Sequence, residues 1–292
     1  MSAVSSAILD TLHTWLRPRL DPLAQAWLAE KCHQIATGDK KSLFLSFGMA
    51  ARKVGKEDLR LSAEELAAAV RVRPAWNPQG WTIDQAARMA MVLSFPVSDA
   101  QLFVSVLDQL FATGEVHELI ALYQGLPLYP HPELFQLRCA EGQRSNIPAV
   151  FCAIAHRNPF PSEQLSDDQW NQLVLKSLFI GVALNPIIGL DQRANLKLAA
   201  ILVDFAHERW AAKRPVSPEL WRCVGPFADD AGFDALTQVL TTGTDVERQA
   251  AVLALRSNPS PEAHRRLRIA GVDITPYATW EQIALQNSHA ED

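Results

Sequence analysis

Three observations on the sequence predict an all-α fold. Helix-start signals recur along its 292 residues, and apolar residues follow a helical period between them. No alternating β-branched run is bounded by Asn-Gly or Asp-Gly turns, so strand signals are nearly absent. Helices of about 10–20 residues joined by short Pro/Gly turns suit an irregular HEAT- or armadillo-like array of helix pairs, with a compact helical bundle as the alternative. No strict repeat period is visible, so the array rests on helix grammar alone. We expect a single domain over residues 1–292, with a possible sub-division near 126–132, because the 48% of apolar residues can bury one large core or two moderate ones.

The first element is a helix within MSAVSSAILDTLHTWLRPRL, whose apolar residues mark one helix face; with no basic start, the segment is not expected to be a secretion signal. Capping boxes, in which a Ser or Thr caps the helix and a Glu or Gln three residues on reaches back, follow at Ser62/Glu65, Thr82/Gln85, Ser98/Gln101, Ser166/Gln169, Thr244/Glu247 and Thr279/Gln282. Ser217-Pro218 and Ser260-Pro261 add two starts with proline at the first helical position. Between the first boxes, Pro74 to Trp81 is a loop whose Trp76 and Trp81 either form an aromatic lid or anchor the loop to the core. Leu126 to Pro132, with three prolines, interrupts helix and favours extended backbone. Pro148 to Ala155 is apolar on nearly every side and is expected to be a central helix, ended by His156, Arg157 and Asn158 before Pro159. Thr244 to Arg256 has the acidic start and Arg/Ala/Leu spacing of a HEAT-like helix.

The charge balance, 27 Lys and Arg against 32 Asp and Glu, lacks the long single-sign blocks that suit nucleic acid or an anionic membrane, so no nucleic-acid partner is expected. Cys32, Cys139, Cys152 and Cys223 are far apart and form no CxxC pair, which points away from zinc and from a disulfide framework and towards a reducing, cytoplasmic setting. The most apolar stretch, Ser177 to Leu190, is broken by Asn185, Pro186 and Gly189 and falls short of the roughly 20 residues needed to span a bilayer. No cofactor is expected: the sequence has no GxGxxG or GxxxxGK[ST] loop and no GxSxG elbow.

The strongest pointer to function is the stretch from Glu141 to Arg214, where polar residues stand at positions that a packed helix would fill with apolar ones. On the helix after Ser166, Asn171 falls inside the apolar arc between Leu178 and Leu175. On a helix drawn from Asp191, Leu198, Leu202, Val203, Phe205, Ala206 and Trp210 cover more than half the circumference, and Asn195 lies within that arc. A buried amide without a partner costs about 1–3 kcal/mol, so both must find hydrogen bonds. Either each satisfies the backbone of a neighbouring loop, or they line a pocket with Glu141, Arg144, Asn146, Arg157 and Asn158. Arg193, Asp204 and His207 form a second constellation, with Asp204 and His207 one turn apart. It fits acid–base or metal work or, more simply, a solvated helix face, since His207-Glu208 lacks the second histidine of a zinc-peptidase helix.

The strings GQRSNIPAVFCAIAHRNPFP, WNQLVLKSLFIG, GLDQRAN, LVDFAHERWAAKR and SPELWRCVGPF, with GWTIDQAARMAMVLSFP and LYQGLPLYPHPE upstream, resemble the EboA family of bacterial proteins over roughly Leu43 to Phe227. The resemblance implies a place in a small gene cluster. Its other members resemble a TIM-barrel metal-dependent hydrolase, a UbiA-type prenyltransferase, a dehydroquinate-synthase-like protein and a sugar-isomerase-like protein, and it is associated with making or exporting secondary metabolites. It carries over no catalytic residues. It marks Arg144, Asn146, Asn158, Trp170, Asn171, Asp191, Arg193, Asn195, Asp204 and His207 as candidates for a shared surface or pocket. The expectation is a non-catalytic helical accessory protein that binds other proteins of the cluster, a small metabolite, or both. The alternatives are an enzyme acting on a small prenylated or aromatic metabolite, and a structural subunit whose polar residues only stitch helices together.

Overall fold

Helix α5 (Ile83–Ser94) is buried at every position from Ile83 to Leu93, including its charged residues Asp84 and Arg88, in the computed structural model, which describes residues 3–269 and 278–288. Asp84 and Arg88, one turn apart, form an ion pair; Arg88 Nε also donates to the Phe47 carbonyl at 3.1 Å, and its guanidinium lies over the Phe47 ring. Buried charge is tolerated because each group has a partner. Around α5 pack α1 (Ala3–Leu16), α2 (Pro22–Ala36), α3 (Lys40–Val54) and α7 (Val116–Gln124), while α4 (Ala63–Val72) packs on α1. α6 (Ala100–Thr113), α8 (Gln136–Gln143), α9 (Pro148–Ala155) and α10 (Phe160–Gln164) complete a unit spanning Met1–Leu165.

The second unit, Ser166–Asp292, holds α11 (Asp167–Phe179), α12 (Leu196–Ala211), α13 (Trp221–Val224), α14 (Asp230–Thr242), α15 (Asp245–Ser257), α16 (Pro261–Ile269) and α17 (Trp280–Ser288). Its organising helix is α15, which buries Ala250, Ala251, Val252, Ala254 and Leu255 and packs against α13, α14, α16 and α17. The fold is therefore all-α: seventeen α-helices and no strand occur among the described residues, and Asp58 and Thr82 form an isolated antiparallel bridge. No helix among the described residues is long and apolar enough to cross a membrane.

The capping boxes at Ser62, Ser166 and Thr244 form, each with the side chain accepting from the backbone N–H three residues on and the Glu or Gln accepting in return. Thr279 and Gln282 make the same pair of bonds. Two starts differ from expectation. At Ser98 the cap moves one residue to Asp99, whose carboxylate accepts from Leu102 N at 3.0 Å, because a carboxylate is an equally good cap and the helix begins at Ala100. At Ser217 the proline opens a 3₁₀ turn, Pro218–Leu220, that runs into α13. The central-helix reading of Pro148 to Ala155 is right in its bounds but not in its position: α9 packs on α7, α8 and α10, and the helix buried at all but its last residue in that unit is α5. Leu126 to Pro132 lies inside the first unit, where Leu126–Leu128 and Pro132–Phe135 form two 3₁₀ turns with Leu126, Pro127, Leu128 and Phe135 buried.

One corner occurs in both units. After α9, Asn158 precedes Pro159; its Nδ2 donates to the Tyr123 and Ala153 carbonyls at 3.0 Å each, and its Oδ1 accepts from Phe160 N at 3.0 Å. After α15, Asn258 precedes Pro259; its Nδ2 donates to the Gly225 and Ala228 carbonyls at 2.9 and 3.4 Å, and its Oδ1 accepts from Ser260 N at 3.0 Å. Each amide does locally what a backbone turn does and also binds a segment distant in sequence.

Candidate functional site

In the second unit the two asparagines of the polar stretch find each other. Asn195 Nδ2 donates to Asn171 Oδ1 at 2.9 Å and Asn171 Nδ2 to Asn195 Oδ1 at 3.3 Å. Helix α12 starts at Leu196, not at Asp191, and Asn195 is its N-cap in extended backbone, with Oδ1 also accepting from Leu198 N at 2.9 Å and Nδ2 donating to the Arg193 carbonyl at 3.1 Å. Asn195 is thus off the apolar arc on which periodicity places it. The residues ahead of it, Gly189 to Arg193, are taken up by a turn closed by Arg193 N donating to Gly189 O at 2.9 Å. Trp170 is fully buried and carries the Arg193 guanidinium over its ring at 5.2 Å, while Arg193 Nη2 donates to Asp167 at 2.9 Å.

The loop between α11 and α12 is held by two side chains three residues apart. Glu219, 2% exposed, accepts from Leu184 N at 3.0 Å and Asn185 N at 2.7 Å. Arg222 grips Asp191 with two bonds of 2.6 and 2.7 Å and reaches Asn185 Oδ1 at 3.0 Å, the two-pronged geometry a guanidinium favours. Asp204 and His207 are both exposed, and no hydrogen bond joins them; His207 meets the Trp210 ring edge-on at 5.5 Å, and Trp210 stacks on Trp221 at 5.9 Å. Among the described residues, no group of three His, Cys, Asp or Glu side chains is placed to hold a metal ion.

In the first unit, Glu141 is exposed and pairs with Arg138, which also binds Asp108; Arg144 and Asn146 are exposed at the end of α8 and just beyond it. Arg157 and Asn158 come together in the wall of a cavity of about 290 Å³, shared with Trp76, Trp81, Gln124 and Cys152. Trp76 and Trp81 are 1% and 4% exposed and pack in series with Trp15, tilted and edge-on, at ring separations of 5.2 and 6.0 Å. They form a buried floor, the anchoring reading of the Pro74–Trp81 loop. Trp76 Nε1 and Gln124 Oε1, a donor and an acceptor, are both buried without a hydrogen-bond partner. Arg157 is exposed, sits at φ 52°, a conformation non-glycine residues seldom adopt, and its guanidinium pairs with no described residue. No carboxylate lines the cavity. Gln124 and Cys152 carry no sequence signal that singles them out; the loop brings them to the tryptophans.

None of the four thiols is activated. Burial pushes Cys139 and Cys223 up to about 12 and Cys32 to about 11, and it raises Cys152 as well. Each is neutral at physiological pH, the opposite of what a nucleophile needs.

The fold and this cavity define a class: an all-helical protein with a small aromatic-floored pocket whose one uncommitted charge is a guanidinium. A family model described as metabolite traffic protein EboA matches residues 8–225, three quarters of the chain, and the chain belongs to the EboA family. The match begins well upstream of the Leu43 at which the sequence resemblance starts. A search of curated proteins and one of solved structures give no match. The family's description ties it to the handling of metabolites, which is the broad role of this chain.

Proposed function

We propose that this protein is a non-catalytic cytoplasmic accessory protein of a secondary-metabolite biosynthesis or export pathway, and that it holds a small metabolite in the first-unit cavity while docking on other proteins of its gene cluster. The observation that carries the reading is the presence, in the lining of one cavity, of an uncommitted guanidinium with a buried donor and a buried acceptor that have no partners among the described residues. Leaving such groups unpaired costs about 1–3 kcal/mol each, so a guest that parts the covering side chains and bonds to both supplies partners that the protein does not. With Arg157 present and no acid in the lining, the guest is neutral or anionic. The raised thiols and the exposed, unjoined Asp204 and His207 favour binding over chemistry.

Native mass spectrometry on protein purified from its producing cells tests this. The expected result is a bound small molecule whose occupancy falls at least about tenfold, or about 1.4 kcal/mol, in Arg157→Gln and Trp76→Leu proteins. Absence of any bound molecule, with normal metabolite output from cells carrying Arg157→Gln, refutes the reading.

A further inference from the structure

The second unit holds a larger cavity of about 440 Å³, within the range of about 300–1,000 Å³ usual for small-molecule sites. Its walls are the end of α11 (Leu178, Phe179, Ile180), Phe205 and Arg209 of α12, and Val216, Ser217 and Asn287. None of these belongs to the polar stitching around Asn171 and Asn195. We propose that this cavity is a binding site for a singly charged carboxylic acid with an apolar ring or short-chain body.

The guanidinium of Arg209 is fixed but not committed. Nε donates to the Pro215 carbonyl at 2.9 Å and the group lies 5.9 Å from the Phe205 ring centre, whereas neither Nη makes a hydrogen bond or ion pair among the described residues. A guanidinium tied down through Nε offers its two Nη groups as a parallel pair, the match for the two oxygens of a carboxylate. The one acid in the lining does not compete: Glu219 is buried, and both its oxygens accept from backbone N–H groups. The Ser217 hydroxyl and the Asn287 amide likewise make no hydrogen bond among the described residues, so three polar groups that can point to a guest share one cavity. Phe179 is 72% exposed and Ile180 37% exposed at its edge, apolar surface that a ring or chain would cover. Charge decides between anions. One arginine balances one carboxylate, whereas a phosphate monoester brings about −1.5 to −2 and finds no second cation in the lining.

This site stands whether or not the first-unit cavity binds anything, and the test keeps the two apart. Full-length Arg157→Gln protein, in which the first-unit guanidinium is removed, is titrated by calorimetry with 2-naphthoate and with its neutral analogue 2-naphthamide. The acid is expected to bind at least about tenfold more tightly than the amide. Arg209→Gln should bring the acid down to the level of the amide, Arg209→Lys should restore only part of the preference because a lysine lacks the fork, and Phe179→Ser should weaken both ligands several-fold. If Arg209→Gln fails to fold by circular dichroism, Ser217→Ala with Asn287→Ala replaces it, and a several-fold loss for the acid is expected. Equal binding of acid and amide, a preference that survives Arg209→Gln, or no heat with 2-naphthoate at about 1 mM, where even a 4 kcal/mol site would register, overturns the proposal.

Discussion

Replacing Asn195 by leucine should cost more than replacing Asn171, and replacing both should cost less than replacing Asn195 alone. Asn195 Oδ1 serves two donors, Leu198 N at the start of α12 and Asn171 Nδ2. Leucine at 195 removes an N-cap, about 0.5–2 kcal/mol, and strands the Asn171 amide, which is 1% exposed, for about 1–3 kcal/mol more. The sum is about 1.5–5 kcal/mol. Leucine at 171 is milder, since Asn195 still accepts from Leu198 N and donates to the Arg193 carbonyl and no group is left stranded; the two bonds exchanged with Asn195 are lost, about 0.5–1.5 kcal/mol net each. In the double variant no amide is left stranded, so adding Asn171→Leu to Asn195→Leu should restore about 1–2 kcal/mol.

Pulsed thiol labelling in a urea series isolates this effect, because buried Cys223 reports opening of the second unit and Cys139 provides an internal reference in the first. Singles within about 0.5 kcal/mol of the parent, or a double variant whose loss equals the sum of the singles, would show that the amides do not hold the fold together as drawn. Stable singles that abolish metabolite handling in cells would move the pair from structure to ligand binding.

Three further outcomes follow from the packing. Gly225 is αR, which alanine also adopts, yet a Cβ there would sit 2.4 Å from the Ala254 carbonyl oxygen, so Gly225→Ala should destabilise the second unit by at least about 1–3 kcal/mol; an unchanged urea midpoint refutes the close approach. In the first unit, Asp84→Ala leaves Arg88 buried with only the Phe47 carbonyl and should cost about 3–5 kcal/mol, with Asp84→Leu/Arg88→Met recovering most of it in thermal melts; a double variant no better than the single argues against the pair. Burial raises the thiols of Cys139 and Cys223 to about 12. Their contribution is therefore complete below the unfolded thiol value of about 8.5 and is lost as pH rises from there towards 12, because the unfolded chain ionises first. Stability should fall with a slope of about 1.4 kcal/mol per pH unit per thiol, shallower in Cys223→Ala; identical slopes refute the assignment.

Helix starts whose signal is a side chain with a reciprocal partner are legible in the sequence, as at Ser62, Ser166, Thr244 and Thr279. Lone caps such as Asp21, Asp39 and Asp229 are not, because no Glu or Gln three residues on announces the helix. Periodicity draws α12 too long because Leu190 and Ala194 extend the apolar spacing backwards, and it does not register the single extended residue, Asn195 at φ −150°, that starts the helix. The central position of α5 was hidden for a related reason: Asp84, Gln85 and Arg88 look like a solvent face until partners from elsewhere bury them. Arg157 and Asn158 were legible as a pair beside a proline, but the cavity they share with Gln124, Trp76 and Trp81 joins segments more than 70 residues apart in sequence, which no local pattern encodes.

What separates a residue that holds a ligand from one that holds the fold is whether its hydrogen bonds are already made. Asn158, Asn171, Asn195 and Asp191 are all polar and prominent in the sequence, and each is bonded to other parts of its own unit. A ligand approaching any of them must exchange a formed bond for a new one, a step that gains almost nothing. Arg157 and Arg209 have donors without protein acceptors, so a guest bonding to them displaces only water and gains about 1.5–3 kcal/mol net per charge-assisted contact. Affinity in this chain should therefore track the two arginines and be nearly indifferent to the asparagines, except where losing an asparagine unfolds the wall that carries an arginine.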